Sequence, residues 1–393
     1  MGDSVFVLVL NAGSSSLKFN LFDMANEASL AEGMAERIGL AEANLSCTID
    51  GEKQKEALPL PTHREALGAI LDRLHSTVLH ETPVHAVGHR VVHGGPKYGD
   101  SVLVTDEVLH DIEAFAIYAP LHNPANALGI RVARETFPDV PHVAVFDTAF
   151  HHNIPDHART YGIPYELSQK YGIRRYGFHG TSHAFVAART AILLCRPLRA
   201  LKIITCHIGN GTSICAVGQG KSMDTSMGMT PLQGVIMGTR CGTIDPSVVE
   251  MLMEHEHLDY AAITDLLNKK SGLLGISGVS SDFREIELAA DSGNDRARLA
   301  RDLLTYNVRQ FIGSYATVLD GVDAITFTAG IGTHSTYVRA KVCSKLGFLG
   351  VKLDPEANEH GTGERIITTP DSRVAVTVVP TNEELMIARE TVR

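Results

Sequence analysis

The 393-residue chain has no tryptophan, and only 6 % of it is aromatic. Its six cysteines (Cys47, Cys195, Cys206, Cys215, Cys241, Cys343) contain no C-x-x-C pair. That spacing excludes a thioredoxin-like or zinc-ribbon site and fits reduced thiols. Cys206 and Cys215 are expected to face each other across a hairpin turning at Gly209–Thr212, as thiols and not as a disulfide. Long apolar runs are missing. Val5–Leu10 is the longest clean one near the start, far short of the ~20 residues of a spanning helix. The first basic residue is Lys18, so no charged region precedes that run as in an export signal, and Phe6 breaks the myristoylation pattern. The expected location is the cytoplasm, away from membranes. A basic block is absent too: Lys+Arg 35 against Asp+Glu 45 gives a net charge of −10. This argues against nucleic acid or an anionic membrane as a partner. Any bound anion must be held by a few placed cations.

What is present is ordinary core material, 44 % hydrophobic and 20 % charged, in a length that suggests more than one domain. Apolar runs alternate with amphipathic stretches, which indicates an α/β class. Strands are expected at Val5–Leu10, Leu17–Phe22, Val84–Val92, His142–Phe146, Leu201–His207, Ser213–Val217, Ala324–Thr328 and Val374–Val379. Thr62-His63-Arg64-Glu65 is a capping box opening a helix with Leu67, Ile70, Leu71, Leu74 and Val78 on one face. Asn123-Pro124 and Asp245-Pro246 are read as cap residues before a proline. A long helix is expected from Asp295 to Asp320, stopped by Gly321. The order strand, Asn, Gly, small hydroxyls, strand occurs at Leu8–Ser16 and returns at Ile204–Ser213. The echo suggests a duplicated fold with a cleft between its halves. The boundary is expected near residue 147, with the last helix crossing back to the first half.

Three glycine turns follow apolar strands, at Asn11–Ser16, His207–Gly211 and Thr328–Gly332. Glycine lets backbone N–H groups line a nest for phosphate oxygens. The familiar nucleotide patterns fail: Gly220-Lys221-Ser222 lacks the first glycine of a P-loop, and no G-x-G-x-x-G follows the first strand. Ser15-Ser16-Leu17-Lys18 matches S-x-x-K without the companion elements of a serine acyl-enzyme. His89/His93 and His179/His183 have i, i+4 spacing, but hydrogen-bonded structural histidines are the default over zinc. Arg90, Arg240 and Arg284 sit beside glycine or in polar turns, where a guanidinium fork suits carboxylate or phosphate. Asp147 and Glu383-Glu384 follow strands, as Mg²⁺-binding carboxylates or as helix caps.

Together these segments resemble the acetate kinase family, within the superfamily of acetate and sugar kinases, actin and heat-shock chaperone ATPases. The resemblance rests on Asn11–Phe19, His89–Gly95, Pro120–Pro124, Phe146–His151, Tyr176–His183, His207–Gly211, Asp224–Pro246, Ser271–Arg284 and Thr381–Glu384. It implies two duplicated ribonuclease-H-like domains: 1–146 plus 384–393 for the acyl substrate, and 147–383 for nucleotide binding and dimerisation. The implied activity is reversible, Mg²⁺-dependent in-line transfer of the ATP γ-phosphoryl group to acetate, giving acetyl phosphate and ADP, in a homodimer formed by the C-terminal domain. Mn²⁺ is a substitute ion. A propionate or butyrate kinase of the same family competes with this reading, as does an actin- or chaperone-type ATPase with no small acceptor.

Carried over by motif, Asn11 and Glu383 position the metal. Asp147 is the residue the family assigns to proton transfer, though an already ionised acceptor carboxylate needs no base, so it is read here as orienting Mg²⁺ or its water. His179 and Arg240 stabilise the transition state. Arg90 anchors the acetate carboxylate, with Val92, Leu121, His122, Phe178 and Pro231 around the substrate. Ser14, Ser16, Lys18, His207, Ile208, Gly209, Asn210, Gly211, Asp282, Phe283, Arg284, Gly330, Ile331, Gly332, Thr333 and His334 form the ATP side. The family usually has Thr-Gly-Gly-Ile-Gly-Glu-Asn where this chain has Thr328–His334, and an acid where it has Pro96.

Overall fold

A computed structural model describes residues 4–80 and 83–393. The chain forms two compact units, Met1–His152 with Asn382–Arg393, and Asn153–Thr381. The sequence reading placed the divisions at 146/147 and 383/384. The observed ones leave Asp147 and Glu383 in the first unit, because Asp147 bonds Arg90 and the last helix packs on the first sheet.

In the first unit β1 (Phe6–Ala12), β2 (Ser16–Asp23), β3 (Ala28–Glu36), β4 (Asn44–Ile49) and β5 (Glu52–Ala57) form an antiparallel meander. On the other side of β1, β6 (Ala86–Val91) runs parallel to it; β7 (Val102–Leu103) lies antiparallel at the far edge, beyond β8 (His142–Phe146). The order is β5-β4-β3-β2-β1-β6-β8-β7. Strand alternation sends Leu8 and Leu10 into a cluster with Leu67, Ile70 and Leu74 of the helix His63–Leu74. Val7 and Val9 on the opposite face meet Ile387 and Ala388 of the helix Glu383–Val392. Gly88 permits that approach, since a Cβ there would strike Thr391 and lie 2.9 Å from Ile387 Cγ2.

Thr62 is the N-cap of the helix His63–Leu74 and pairs with Glu65. Thr62 Oγ1 accepts from Arg64 N at 3.1 Å and its hydroxyl donates to the Glu65 carboxylate. Val78, expected on the same helix face, lies in a π-helical turn at His75–Leu79. Asn123 is not a cap: it is the first residue of the helix Asn123–Thr136, and its carboxamide is buried against His93 and Ile112.

The second unit repeats the plan. β9 (Lys202–Ile208), β10 (Thr212–Gly218) and β11 (Lys221–Thr225) form a meander; β12 (Ala324–Thr328) runs parallel to β9, and β13 (Arg365–Ile366) is the edge strand beside β14 (Ala375–Val378). The order is β11-β10-β9-β12-β14-β13. Register pairs Cys206 with Ile214 and Cys215 with Thr205. The two thiols are therefore one residue out of step and point to opposite faces of the sheet. The long helix runs Asp295–Val318, with Ala297, Ala300, Leu304, Val308, Ile312 and Tyr315 as its buried stripe. Gly321, at φ +109°, takes the left-handed position after it, and its N–H bonds Ala316 O at 2.8 Å.

Candidate active site

In the first unit the hairpin register sets Asn11 opposite Lys18. Arg90 lies near the end of β6, and Asp147 follows β8 directly. Arg90 Nε donates to Asp147 Oδ1 at 3.0 Å and Nη2 to Oδ2 at 2.8 Å, a bidentate fork. The Asp147 side chain is only 2 % exposed, that of Arg90 23 %. A guanidinium has five N–H donors. Asp147 takes Nε and Nη2, which leaves Nη1 for another acid. Asp147 in the first place, then Glu383, raises the Arg90 pKa against the effect of burial. Glu383 opens the last helix, where Asn382 Oδ1 accepts from Leu385 N at 2.9 Å. Burial pushes the Glu383 carboxyl up to about 7, opposed by Arg90 and reinforced by Asp147 and Glu384. Its Oε1 is closed off from solvent and, among the described residues, has no hydrogen-bond partner. Glu384 pairs with Lys18.

Two residues that the sequence reading missed hold this arrangement. Buried Asn126 accepts from Val92 N at 3.1 Å and donates to Ala12 O at 2.8 Å, tying the end of β6 to the turn after Asn11. His63 Nε2 bonds Gly13 O at 2.7 Å in the same turn. The signal for Asn126 was present: Asn123 and Asn126 sit at i, i+3 among the apolar positions 127, 130 and 133 of the helix. A polar residue on a buried face must find partners.

Around Gly211 the second unit groups histidines and an arginine through neutral hydroxyls and carbonyls. His179, at φ +57°, caps the helix Gly180–Leu193 in the left-handed region, which is uncommon outside glycine. Its Nδ1 bonds Ser213 Oγ at 2.8 Å. Ser213 Oγ also bonds His183 Nε2 at 2.7 Å, and His183 Nδ1 bonds Thr205 Oγ1 at 2.7 Å. His207 stacks on His179, centroids 4.0 Å apart, and bonds Ser182 through Nδ1. Two unit charges at that separation would repel by ~4 kcal/mol at an effective dielectric of about 20, which opposes a proton charge on both rings at once. The place a Cβ on Gly211 would occupy lies 3.4 Å from His179 Nε2 and 3.8 Å from Arg240 Nη1. Arg240 donates to Pro231 O at 3.0 Å and contacts Met237 Sδ, and among the described residues it pairs with no carboxylate. Burial lowers its pKa.

A pocket of about 700 Å³ opens beside this group, a volume typical of small-ligand sites. Eight expected residues line it: Gly209, Asn210, Asp282, Phe283, Arg284, Gly330, Ile331 and His334, with Ser281, Glu287 and Ser335 added. Arg284 forks onto Asp282, whose carboxyl is lowered to about 2 by that hydrogen bond. Ser335 donates to Glu287 at 2.7 Å. Buried Arg339, invisible to the sequence reading, ties the Gly330 turn down through Gly332 O (3.0 Å), Thr333 O (2.7 Å) and Asn358.

Other expected site residues fall elsewhere. The Ile208 side chain is in the hydrophobic core, so only its backbone is free to face a ligand. Thr333 is engaged through its carbonyl and does not line the pocket. Gly332 is buried. Ser14, Ser16 and Lys18 belong to the first unit's hairpin. Among the substrate-side residues, Val92 is buried, His122 is a helix N-cap and Leu121 is 63 % exposed, all in the first unit. Phe178 is buried in the second, where Pro231 supplies the carbonyl to Arg240.

The sequence profile described as the acetokinase family matches residues 6–389. An acetate kinase of Halothermothrix orenii is 50 % identical over 392 residues, covering 98 % of both chains. The crystal structure of Porphyromonas gingivalis acetate kinase is 45 % identical, with TM-score 0.93 and 99 % of both chains covered. A propionate kinase from Francisella tularensis is 42 % identical, with TM-score 0.93, covering 98 % of this chain and 99 % of that one.

Proposed function

The chain belongs to the acetokinase family, and on that premise we propose how its residues divide the work. The reaction is ATP:acetate phosphotransfer, giving acetyl phosphate and ADP. The observation that carries the reading is the convergence of Arg240 and His179 on Gly211: a largely buried cation with no carboxylate partner among the described residues, beside an imidazole, at the mouth of a glycine turn. Such a group suits a phosphoryl oxygen. ATP occupies the adjoining pocket, with its phosphates toward the turn His207–Gly211. Arg90 takes the acetate carboxylate through Nη1, and Asp147 acts through Arg90 by fixing the plane of its guanidinium.

The donors also fit Mg²⁺. The Glu383 Oε1 is buried and, among the described residues, without a partner; it and the Asn11 carboxamide are hard oxygen donors. Asn11 and Glu383 would hold the ion, which supplies charge neutralisation at the phosphates. Lys18, drawn off Glu384, is the first unit's cation for a phosphate. Phosphoryl transfer depends mostly on position and charge, and these residues supply the charge.

The active form is a homodimer in the cytoplasm. The helix Ser247–His255 buries none of its side chains, although Val248 and Met251 are apolar, 38 % and 61 % exposed, and Tyr260 nearby is 75 % exposed. A second copy covers such a face, and sedimentation at micromolar concentration tests it. Propionate is the second reading, favoured by the likeness to the Francisella propionate kinase. Kinetics with acetate, propionate and butyrate, each with ATP and Mg²⁺, with Mn²⁺, and with chelator, test the substrate and the ion. The expected result is highest kcat/KM for acetate and loss of turnover in chelator. A protein that hydrolyses ATP equally fast without any carboxylate contradicts the reading.

A further inference from the structure

Ser213 is not among the expected site residues, yet it is fully buried and bonds two imidazoles at once, His179 Nδ1 and His183 Nε2. A hydroxyl has one proton. It can donate to one of these nitrogens and must accept from the other. The two rings are thereby coupled, and only two proton orders satisfy both bonds with neutral rings. In one, Ser213 donates to His179 Nδ1, His183 Nε2–H donates to Ser213, and Thr205 donates to His183 Nδ1. His179 then carries its proton on Nε2. In the other every bond reverses, and His179 Nε2 presents a bare lone pair.

The place that Nε2 faces decides between them. Nε2 and Arg240 Nη1 lie 3.4 and 3.8 Å from the same point beside Gly211. A phosphoryl oxygen bound there accepts a hydrogen bond from N–H and is repelled by a lone pair. The stack of His207 on His179 at 4.0 Å and the nearby guanidinium oppose a second proton on the ring, so the donor must come from tautomer choice rather than from charge. We propose that Ser213, supported by His183 and Thr205, is a positioning residue that fixes His179 as the Nε2–H tautomer and so aims a neutral hydrogen-bond donor at the transferring phosphoryl group. The inference rests on the assignment of His179 under the proposed function and adds what sets its protonation state. His179, by this account, touches the reacting group; Ser213, His183 and Thr205 act only through it.

Two measurements test it together. In the intact enzyme labelled with ¹⁵N-histidine and saturated with ATP and Mg²⁺ without acetate, the nitrogen shifts and one-bond N–H couplings report which ring nitrogen of His179 is protonated. The expected result is Nε2–H with bare Nδ1. Protonation at Nδ1 alone, or at both nitrogens, overturns the proposal. In kinetics, Ser213→Ala is expected to lower kcat at least about 10-fold, and by less than the ~10²–10³ typical of removing a donor outright, with both KM values within about twofold. Ser213→Thr restores the rate. In a His179→Gln background, where a carboxamide offers N–H without tautomers, the same Ser213→Ala change is expected to alter kcat less than about twofold. Equal losses in both backgrounds identify a merely structural serine and contradict the inference. Should Ser213→Ala fail to fold, Thr205→Val breaks the far end of the chain and is read in the same way. If His179→Ala itself keeps a near-normal rate, the assignment of His179 fails; if that variant is crippled while Ser213→Ala is normal, only the tautomer inference fails.

Discussion

The two units share one sheet plan and solve the handling of anions in different ways. In the first, each placed cation already has an acid: Arg90 forks onto Asp147, and Lys18 pairs with Glu384. In the second, Arg284 has Asp282, but among the described residues Arg240 has only a carbonyl and a thioether, and the neighbouring histidines are linked through neutral hydroxyls. A compensated cation is rigid and cheap to keep in the free protein, but it must share its donors with the ligand. An uncompensated one is costly to desolvate, and for that reason it gains more when an anion arrives. The β-meander and the parallel strands recur in both units, while the residues around them form these two arrangements.

Loss of each arginine separates the arrangements most sharply. Arg90→Ala strands a carboxylate that is 2 % exposed, and removing one partner of a buried pair costs about 3–5 kcal/mol. Urea unfolding is expected to show that loss. Arg240→Ala leaves no buried charge unpaired and should change stability by less than about 1 kcal/mol. Equal destabilisation by the two would erase the distinction.

The sequence read alone pointed to both arginines but could not have ranked them this way. All eight expected strands are present, because buried strands announce themselves as apolar runs: His142–Phe146 and Ala324–Thr328 are buried at every position. The omitted β5 is exposed at every position and reads as polar loop, Glu-Lys-Gln-Lys-Glu-Ala. β3 was hidden because Gly33 and small alanines blur its alternation. At the site, residues in glycine turns were legible, since the turn itself is a local signal. The Arg90–Asp147 pair spans 57 positions, and the bonds of Arg339 to Gly332 and Thr333 run to carbonyls. Neither kind of contact leaves a pattern in the chain. The Cys206–Cys215 pairing failed by a single residue of register.

Asn126 tests whether the first unit's rigidity comes from polar clamps as well as ion pairs. Asn126→Ala leaves Val92 N–H and Ala12 O unpaired, at about 1–3 kcal/mol for a buried group left unsatisfied. The expected result is a destabilisation of ~2 kcal/mol with a raised acetate KM. Asn126→Asp, which keeps the acceptor for Val92 N–H, should recover part of both. An Ala variant with wild-type stability and KM would remove the clamp from the account.

Val92, held by that clamp and 6 % exposed, bears on selectivity in the first unit. Discrimination by one methylene is limited to ~1–3 kcal/mol, roughly 10–200-fold. Val92→Ala is expected to raise kcat/KM for propionate relative to acetate within that range, measured by steady-state kinetics on both acids. An unchanged ratio places the acyl pocket elsewhere.

The smallest effect belongs to the second unit's pocket. Ala329 sits at φ +61° just before the pocket-lining Gly330, a conformation that costs an L-residue about 1 kcal/mol or more. Ala329→Gly relieves that cost but adds freedom to the unfolded chain. The net expectation is a gain of less than about 1 kcal/mol, read as a small rise in Tm with unchanged kcat. A fall in Tm would show that the methyl packs usefully, 3.6 Å from the space beside Gly209.

The contrast between compensated and uncompensated cations is tested most directly by steady-state kinetics of Arg90→Ala and Arg240→Ala side by side, with acetate varied at saturating ATP and Mg²⁺. Arg90, shared with Asp147, binds the acceptor in ground and transition states alike, so its loss should appear chiefly as a raised acetate KM. Arg240, which meets the phosphoryl group in flight, should lose ~10²–10³ in kcat with an acetate KM near normal. The same kinetic pattern in both variants, or the two patterns exchanged, would contradict the account.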